Sequence, residues 1–138
     1  MDRAGPPLCG SHKLVAGFLA DPATHAVYAG GEVDLSTAIG DGCVGWAASN
    51  PDLQLDWSGT TLLRFYFIPD NLLADTVLVI NDPSNTWHCV DDSFATPHPT
   101  LDFDPSQTGF YEIWIATYAD GATLPGTLYI TELDDNHP

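Results

Sequence analysis

The sequence predicts an all-β protein, a jelly-roll-like antiparallel β-sandwich of about eight or nine short strands in one domain. Apolar and polar residues alternate over residues 52–57 with the period of a half-buried strand. Other short apolar runs are separated by turn residues, as in sandwiches. Long helices are disfavoured because 12 Gly, 11 Pro and 16 Asp accompany only 3 Glu and 3 Lys plus Arg in 138 residues.

The strands can be placed in chain order. Pro69 ends the apolar run 60–68 because proline cannot donate to a ladder. Residues 76–80 and 86–90 form a predicted hairpin around the turn Asn81–Asn85. The other predicted strands are 52–57, 100–103, 109–117 and 127–131, and the upstream segments 13–18, 25–28 and 32–35 are shorter candidates. We expect residues 11–133 to form the domain, residues 1–10 a flexible leader and residues 134–138 a polar tail.

The charge balance excludes two classes of partner. The formal net charge is -16, and the only cations are Arg3, Lys13 and Arg64. Nucleic acids and anionic membranes need clustered Lys and Arg, which this chain lacks. No apolar run approaches the ~20 residues that a membrane-spanning helix requires, so we expect no membrane insertion.

Two of the three cysteines are predicted to pair. Cys43 and Cys89 lie in patterned sequence, whereas Cys9 lies in the Pro- and Gly-rich leader. A disulfide between Cys43 and Cys89 would stabilise the fold by about 3–4 kcal/mol through loop closure. The alternative is a pair of buried free thiols. A disulfide implies an oxidising compartment, so we expect an extracellular or periplasmic protein.

Carboxylates distant in the sequence are predicted to meet at one edge. Successive antiparallel strands reverse direction, so alternate loops fall at the same end of the sandwich. Ca²⁺ suits such a group because it accepts six to eight oxygen ligands in a tolerant geometry. The predicted cofactor is therefore Ca²⁺, with ligands drawn from Asp52, Asp75, Asp91, Asp92 and Asp120. The alternative is that these aspartates simply mark exposed loops.

No catalytic residue is predicted. The chain has no G-x-S-x-G elbow. His88 and Cys89 are strand neighbours that point to opposite faces, so the histidine cannot activate the thiol. A further hypothesis is an aromatic platform on which sugar rings stack. The alternative is that the same aromatic residues pack in the core or across strands. The candidate residues are Trp46, Tyr66, Trp87 and Tyr118.

Two stretches resemble a known family. They are ADTVLVINDPSNTWHCVDDS at residues 74–93 and PTLDFDPSQTGFYEIWIATYADGATLPGTLYITEL at residues 99–133. They resemble the bacterial pre-peptidase C-terminal (PPC-like) β-sandwich domains of secreted peptidases. The resemblance implies an exported, non-catalytic accessory domain that is sometimes loaded with calcium. It assigns the acidic positions to Asp75, Asp82, Asp91 and Asp92, and it also places cysteines at the positions of Cys43 and Cys89.

Three functional hypotheses follow. The first is a calcium-binding extracellular accessory or binding module whose ligand is an extracellular polymer, a glycan or a protein. The second is a self-assembling subunit of a surface layer or filament, in which Ca²⁺ bridges the acidic copies. The third is a small hydrolase that uses a carboxylate pair.

Overall fold

Two β-sheets form the fold in the computed structural model, which describes residues 1–40 and 42–138. Within these residues there are eleven strands and one four-residue helix. The first six strands are β1 (Ser11–Val15), β2 (Ala23–Ala29), β3 (Val33–Asp34), β4 (Trp46–Ala47), β5 (Leu53–Ser58) and β6 (Leu63–Pro69). The others are β7 (Thr76–Asn81), β8 (Trp87–Val90), β9 (Thr100–Phe103), β10 (Gly109–Thr117) and β11 (Leu124–Thr131). Helix α1 covers Leu35–Ala38, and no helix of the described chain is long and apolar enough to cross a membrane.

The larger sheet has seven strands and is built around β10. One side of β10 pairs with β7, which in turn pairs with β8. The other side pairs with β5 and, further along, with β4, while β1 and β3 form the outer neighbours. The smaller sheet has the order β2-β11-β6-β9 and is antiparallel throughout. The predicted all-β sandwich is therefore confirmed.

One strand pair differs from the fully antiparallel arrangement that the sequence suggested. β1 runs parallel to β5, with His12 opposite Leu55. The chain between them passes through β2 of the smaller sheet and then through β3 and β4. Parallel neighbours need such a crossover, and a hairpin cannot provide it.

The main core lies between the two sheets. Leu53, Leu55 and Trp57 of β5 are fully buried and alternate with half-buried polar residues, as the period of two predicted. They pack with Phe65 and Phe67 of the smaller sheet. The indole Nε1 of Trp57 is satisfied because it donates to Ser106 Oγ at 2.9 Å.

A second core covers the outer face of the larger sheet. Val77, Val79 and Trp114 form this face, and residues 33–47 cross over it with Leu35 and Cys43. The predicted disulfide between Cys43 and Cys89 is confirmed and fixes the crossing segment to β8. β7 and β10 are apolar on both faces because each face meets a core.

Both chain ends make specific contacts, although the sequence led us to expect a flexible leader and a polar tail. The amides of Asp2 and Leu8 donate to the carbonyls of Ser49 and Pro51 at 2.8 Å. In the tail, the carbonyl oxygens of Asp134 and Asn136 accept hydrogen bonds from the buried guanidinium of Arg64. These partners lie far away in the sequence, so local composition did not reveal them.

Candidate functional site

Three carboxylates converge at one end of the larger sheet. β7 is antiparallel to both β8 and β10, so the start of β7 meets the ends of the other two strands. Asp75 therefore precedes β7 beside Asp91 and Asp92, which follow β8, and beside Tyr118, which follows β10. We call these four residues the acidic rim. The Tyr118 hydroxyl donates to Asp91 Oδ2 at 2.9 Å.

Burial and neighbouring negative charge determine the electrostatics of the acidic rim, and His98 lowers the pKa of Asp75 in part. Partial burial raises the pKa of Asp75, and the charges of Asp92 and Asp91 raise it further. Burial and the hydrogen bond to Asp91 raise the pKa of the Tyr118 hydroxyl, to which all three carboxylates also contribute. Like charges this close destabilise one another unless a proton or a cation intervenes. The predicted convergence of Asp75, Asp91 and Asp92 thus occurs in the structure.

An open groove lies against the acidic rim. It has a volume of about 480 Å³ and is lined by Asp75 and Asp92 together with the loop residues Ser93, Ala95, Thr96 and Pro97. The loop is held by reciprocal backbone hydrogen bonds between Ser93 and Thr96. Ser93 Oγ also donates to the carbonyl of His98. The groove walls are therefore ordered by their own hydrogen bonds.

The rim carboxylates do not form a complete preorganised ligand set. Among the described residues, no three His, Cys, Asp or Glu side chains are grouped closely enough to hold one metal ion. Asp91 is committed to Tyr118, which leaves Asp75 and Asp92 facing the groove. These two hard oxygen donors fit Ca²⁺, provided that backbone carbonyls and water complete the coordination shell.

Asp52 and Asp120, also expected to bind the ion, have other surroundings. Asp52 is only 2% exposed, and its Oδ2 accepts a hydrogen bond from the Ile115 amide at 2.7 Å. Asp120 lies exposed in the turn after β10, where Gly121 N donates to the Gly31 carbonyl. Neither is among the charges that raise the pKa of Asp75 or Tyr118. The alternation of strand direction predicts at which end of the sandwich each residue lies. It does not predict how far across the sheet the residue lies from Asp75.

The four aromatic residues considered for a sugar platform do not share a surface. Tyr66 lies on the smaller sheet, is buried and stacks on Tyr129 with ring centroids 4.7 Å apart. Trp87 packs against Trp114 at 5.2 Å within the outer core. Trp46 pairs with Thr117 at the opposite end of β7 from Trp87. Only Tyr118 of the four is exposed, and the four residues do not form one continuous platform.

Asp82 has a structural role in the β7–β8 turn. Its Oδ1 accepts hydrogen bonds from the amides of Ser84 and Thr86, and its Oδ2 lies 2.8 Å from His88 Nε2. Burial alone would raise the pKa of Asp82, but the hydrogen bonds from His88 and the two amides outweigh it and lower the pKa. The turn is thereby fixed, with Asn85 in the left-handed region at a φ of 62°.

A buried carboxylate that the sequence analysis missed lies at the other end of β7 and β10. Glu112 is opposite Asn81 on one side and Gln54 on the other. Glu112 as a whole is 6% exposed. Burial raises its pKa, and the nearby Arg3 partly offsets this effect. The available signal was a lone glutamate in the middle of the apolar strand GFYEIWIAT.

Taken together, these features describe a two-sheet β-sandwich with an acidic rim at one end. No protein-family model matches the chain, and no curated protein sequence matches it either. Among solved structures, the chain is similar to PliG of Aeromonas hydrophila, a periplasmic inhibitor of g-type lysozyme. The TM-score is 0.41 and the sequence identity 8%, over 88% of this chain and 96% of that chain.

Proposed function

We propose that this protein is a non-catalytic, exported β-sandwich module that binds Ca²⁺ at the acidic rim and holds an extracellular polymer or protein there. The observation that carries the proposal is the convergence of Asp75, Asp91 and Asp92 where the start of β7 meets the end of β8. Partial burial and then the charges of Asp92 and Asp91 raise the pKa of Asp75, and His98 offsets this rise only in part. A bound divalent ion would remove the repulsion and stabilise both rim loops.

The loops beside the acidic rim support a binding role. Leu72 and Leu73 are 62% and 92% exposed in the loop that leads into Asp75. Phe94 is 48% exposed in the loop that follows Asp92. Exposed apolar side chains next to polar groups are typical of surfaces that contact a partner, although one face of Phe94 already stacks on His137 at 4.2 Å. An ion at the rim would hold the two loops in one orientation towards that partner.

The disulfide supports export. Cys43 and Cys89 join two segments that are 46 residues apart, and such bonds persist in oxidising compartments. The PPC-like resemblance implies the same location and the same accessory role. The disulfide and the resemblance are both independent of the acidic rim.

Thermal unfolding with Ca²⁺ against EGTA tests the ion site. An ion that binds only the folded state raises stability by about 2.7 kcal/mol at a hundredfold excess over its dissociation constant. We expect Ca²⁺ to raise the unfolding midpoint of the wild type, and Asp75→Asn or Asp92→Asn to abolish most of the rise. Asp135→Asn is the matched control because it removes one exposed carboxylate elsewhere.

Two outcomes would contradict this assignment. The wild-type midpoint would stay constant across millimolar Ca²⁺, or Asp135→Asn would reduce the response as much as Asp92→Asn.

Sedimentation with and without EGTA then distinguishes the accessory module from the self-assembling subunit. The module stays monomeric with Ca²⁺, whereas the subunit forms larger species that EGTA disperses.

A further inference from the structure

A second cavity lies at the end of the sheet opposite to the acidic rim. It has a volume of about 340 Å³, and Glu112 contributes to its lining. Pro83, Phe110 and Gln54 form parts of its walls. Asn81 and Thr76 are the two ends of β7, so about 16 Å of strand separates this cavity from the rim. We call it the Glu112 pocket.

Two neighbouring side chains, Glu112 in the lining of the Glu112 pocket and Asn81 opposite it on β7, lack hydrogen-bond donors. Oε2 of Glu112 and Oδ1 of Asn81 are both buried without a hydrogen-bond partner among the described residues. The two residues face each other across β7 and β10. Buried acceptors of this kind are costly, because each has lost its water without gaining a protein partner. The site therefore favours a ligand that brings donors.

Arg3 only partly meets this need. Its Nη2 is 3.9 Å from Glu112 Oε1, too far for a hydrogen bond. Its Nη1 donates instead to Asn85 Oδ1 at 2.8 Å. The side chain is 40% exposed, whereas that of Glu112 is 8% exposed. Arg3 is thus a partly exposed cation at the entrance that bonds to Asn85 rather than to Glu112, and the Glu112 carboxylate keeps an unpaired oxygen.

We propose that the Glu112 pocket receives a Lys or Arg side chain of a basic protein partner, which displaces Arg3 and pairs with the Glu112 carboxylate. A volume near 340 Å³ lies at the small end of ligand pockets and suits one long side chain. Phe110 is 52% exposed beside Pro83, so the walls offer apolar surface to a methylene stem. The net charge of -16 attracts a basic partner from a distance.

Backbone geometry forms the wall of the pocket. Gly109 has a φ of 144°, and a Cβ there would lie 2.7 Å from Pro83 Cβ. Glycine therefore lets the β7–β8 turn pack against the start of β10. Ser84 Oγ donates to Gln107 Oε1 at 2.7 Å and ties the turn to the segment before β10. The pocket is thus built from two fixed segments rather than from a loose loop.

The test uses the full chain in EGTA, so that its outcome does not depend on the calcium proposal. The probe is a hexalysine amide, titrated at low salt and followed through the amide signals of Glu112 and Asn81. Removing a charged hydrogen-bond acceptor should weaken binding by about tenfold or more. We therefore expect Glu112→Gln to lose about tenfold in affinity relative to Asp135→Asn, which changes the net charge equally.

Arg3 provides an independent arm of the experiment. Arg3→Ala should bind hexalysine amide more tightly than Lys13→Ala, because both remove one cation but only Arg3 occupies the entrance. Lys13 is a suitable control because it is exposed and its ion pair is long, with Nζ 3.9 Å from Asp56 Oδ2. Should Glu112→Gln fail to fold, the Arg3→Ala comparison still decides. Equal affinities for Glu112→Gln and Asp135→Asn, or no gain for Arg3→Ala over Lys13→Ala, would overturn the proposal.

Discussion

At the residue scale, Asp52 closes a gap in the hydrogen-bond ladder of the larger sheet. β5 pairs with β10 as far as Leu53 and Ile113, and β4 pairs with β10 only at Thr117. The amide of Ile115 would lack a partner between them, and Asp52 Oδ2 supplies it at 2.7 Å. Burial raises the pKa of this carboxyl to about 7, although the hydrogen bond from Ile115 works against the rise.

The raised pKa predicts a specific dependence of stability on pH. The folded state keeps a proton on Asp52 between pH ~4 and ~7, where the unfolded state has lost it, so stability falls as pH rises through this window. Asp52→Asn retains an acceptor but cannot ionise. By pH 8 it should be more stable than the wild type by up to about 4 kcal/mol, whereas both should be similar at pH 4.

Urea unfolding of both proteins at several pH values measures this difference. Asp52→Ala is the companion variant, because it removes the acceptor and leaves the Ile115 amide unpaired, at a cost of about 1–3 kcal/mol. Asp135→Asn should follow the wild type at every pH. A constant difference between the wild type and Asp52→Asn from pH 4 to pH 8 would show that Asp52 titrates normally.

At the scale of elements, the disulfide holds the covering segment over the outer face of the larger sheet. Cys43 and Cys89 belong to the outer core with Leu35 and Trp114. Reduction leaves this core open to local unfolding, since the regular structure described between residues 33 and 47 consists of the two-residue strands β3 and β4 and the short α1. The chain-entropy model gives about 4 kcal/mol for a loop of this length.

Reducing the protein should therefore lower the free energy of unfolding by about 4 kcal/mol in urea. Amide hydrogen exchange should accelerate first in residues 33–47, while β5 and β6 of the main core keep their protection. The double variant Cys43→Ser/Cys89→Ser should behave like the reduced wild type. Uniform acceleration across the main core would contradict a local role for this bond.

Elements with a local signal were predictable from the sequence, and those fixed by distant contacts were not. The alternation around Leu55 placed β5 to within one residue, and the turn Asn81–Asn85 placed the β7–β8 hairpin. Strand reversal then brought Asp75 to Asp91 and Asp92. The outer core, the parallel β1 and the burial of Tyr66 depend on which segment covers which face. Short-range periodicity contains no information about that choice.

At the scale of the whole molecule, two histidines form a contact between the two sheets. His12 lies on β1 of the larger sheet and His25 on β2 of the smaller sheet, and their ring centroids are 4.2 Å apart. His12 Nε2 donates to the Cys9 carbonyl at 3.1 Å. Burial lowers the pKa of His25, and the charge of His12 lowers it further. A proton on His25 is therefore unfavourable at this contact between the two sheets.

This arrangement predicts a loss of stability in mild acid. The folded state resists protonation of His25, so the unfolded state takes up more protons as pH falls through its ordinary value near 6.5. Asp52 has the opposite effect in the same window, so the two contributions partly cancel in the wild type. The Asp52→Asn background removes the largest of these opposing contributions. Asp75 and Glu112, whose pKa values burial also raises, still oppose the effect of His25 towards the acid end of the window. In this background, stability should fall between pH 7.5 and pH 5.

Adding His25→Gln to the Asp52→Asn background should flatten this part of the profile. The carboxylates whose pKa is lowered by hydrogen bonds, Asp34 and Asp82, lose their stabilising effect only below pH ~4, outside the window. Urea unfolding at pH 5, 6 and 7.5 measures both proteins. If their stabilities decline in parallel, the contact between His12 and His25 does not couple the two sheets to pH, and another group must account for the acid sensitivity.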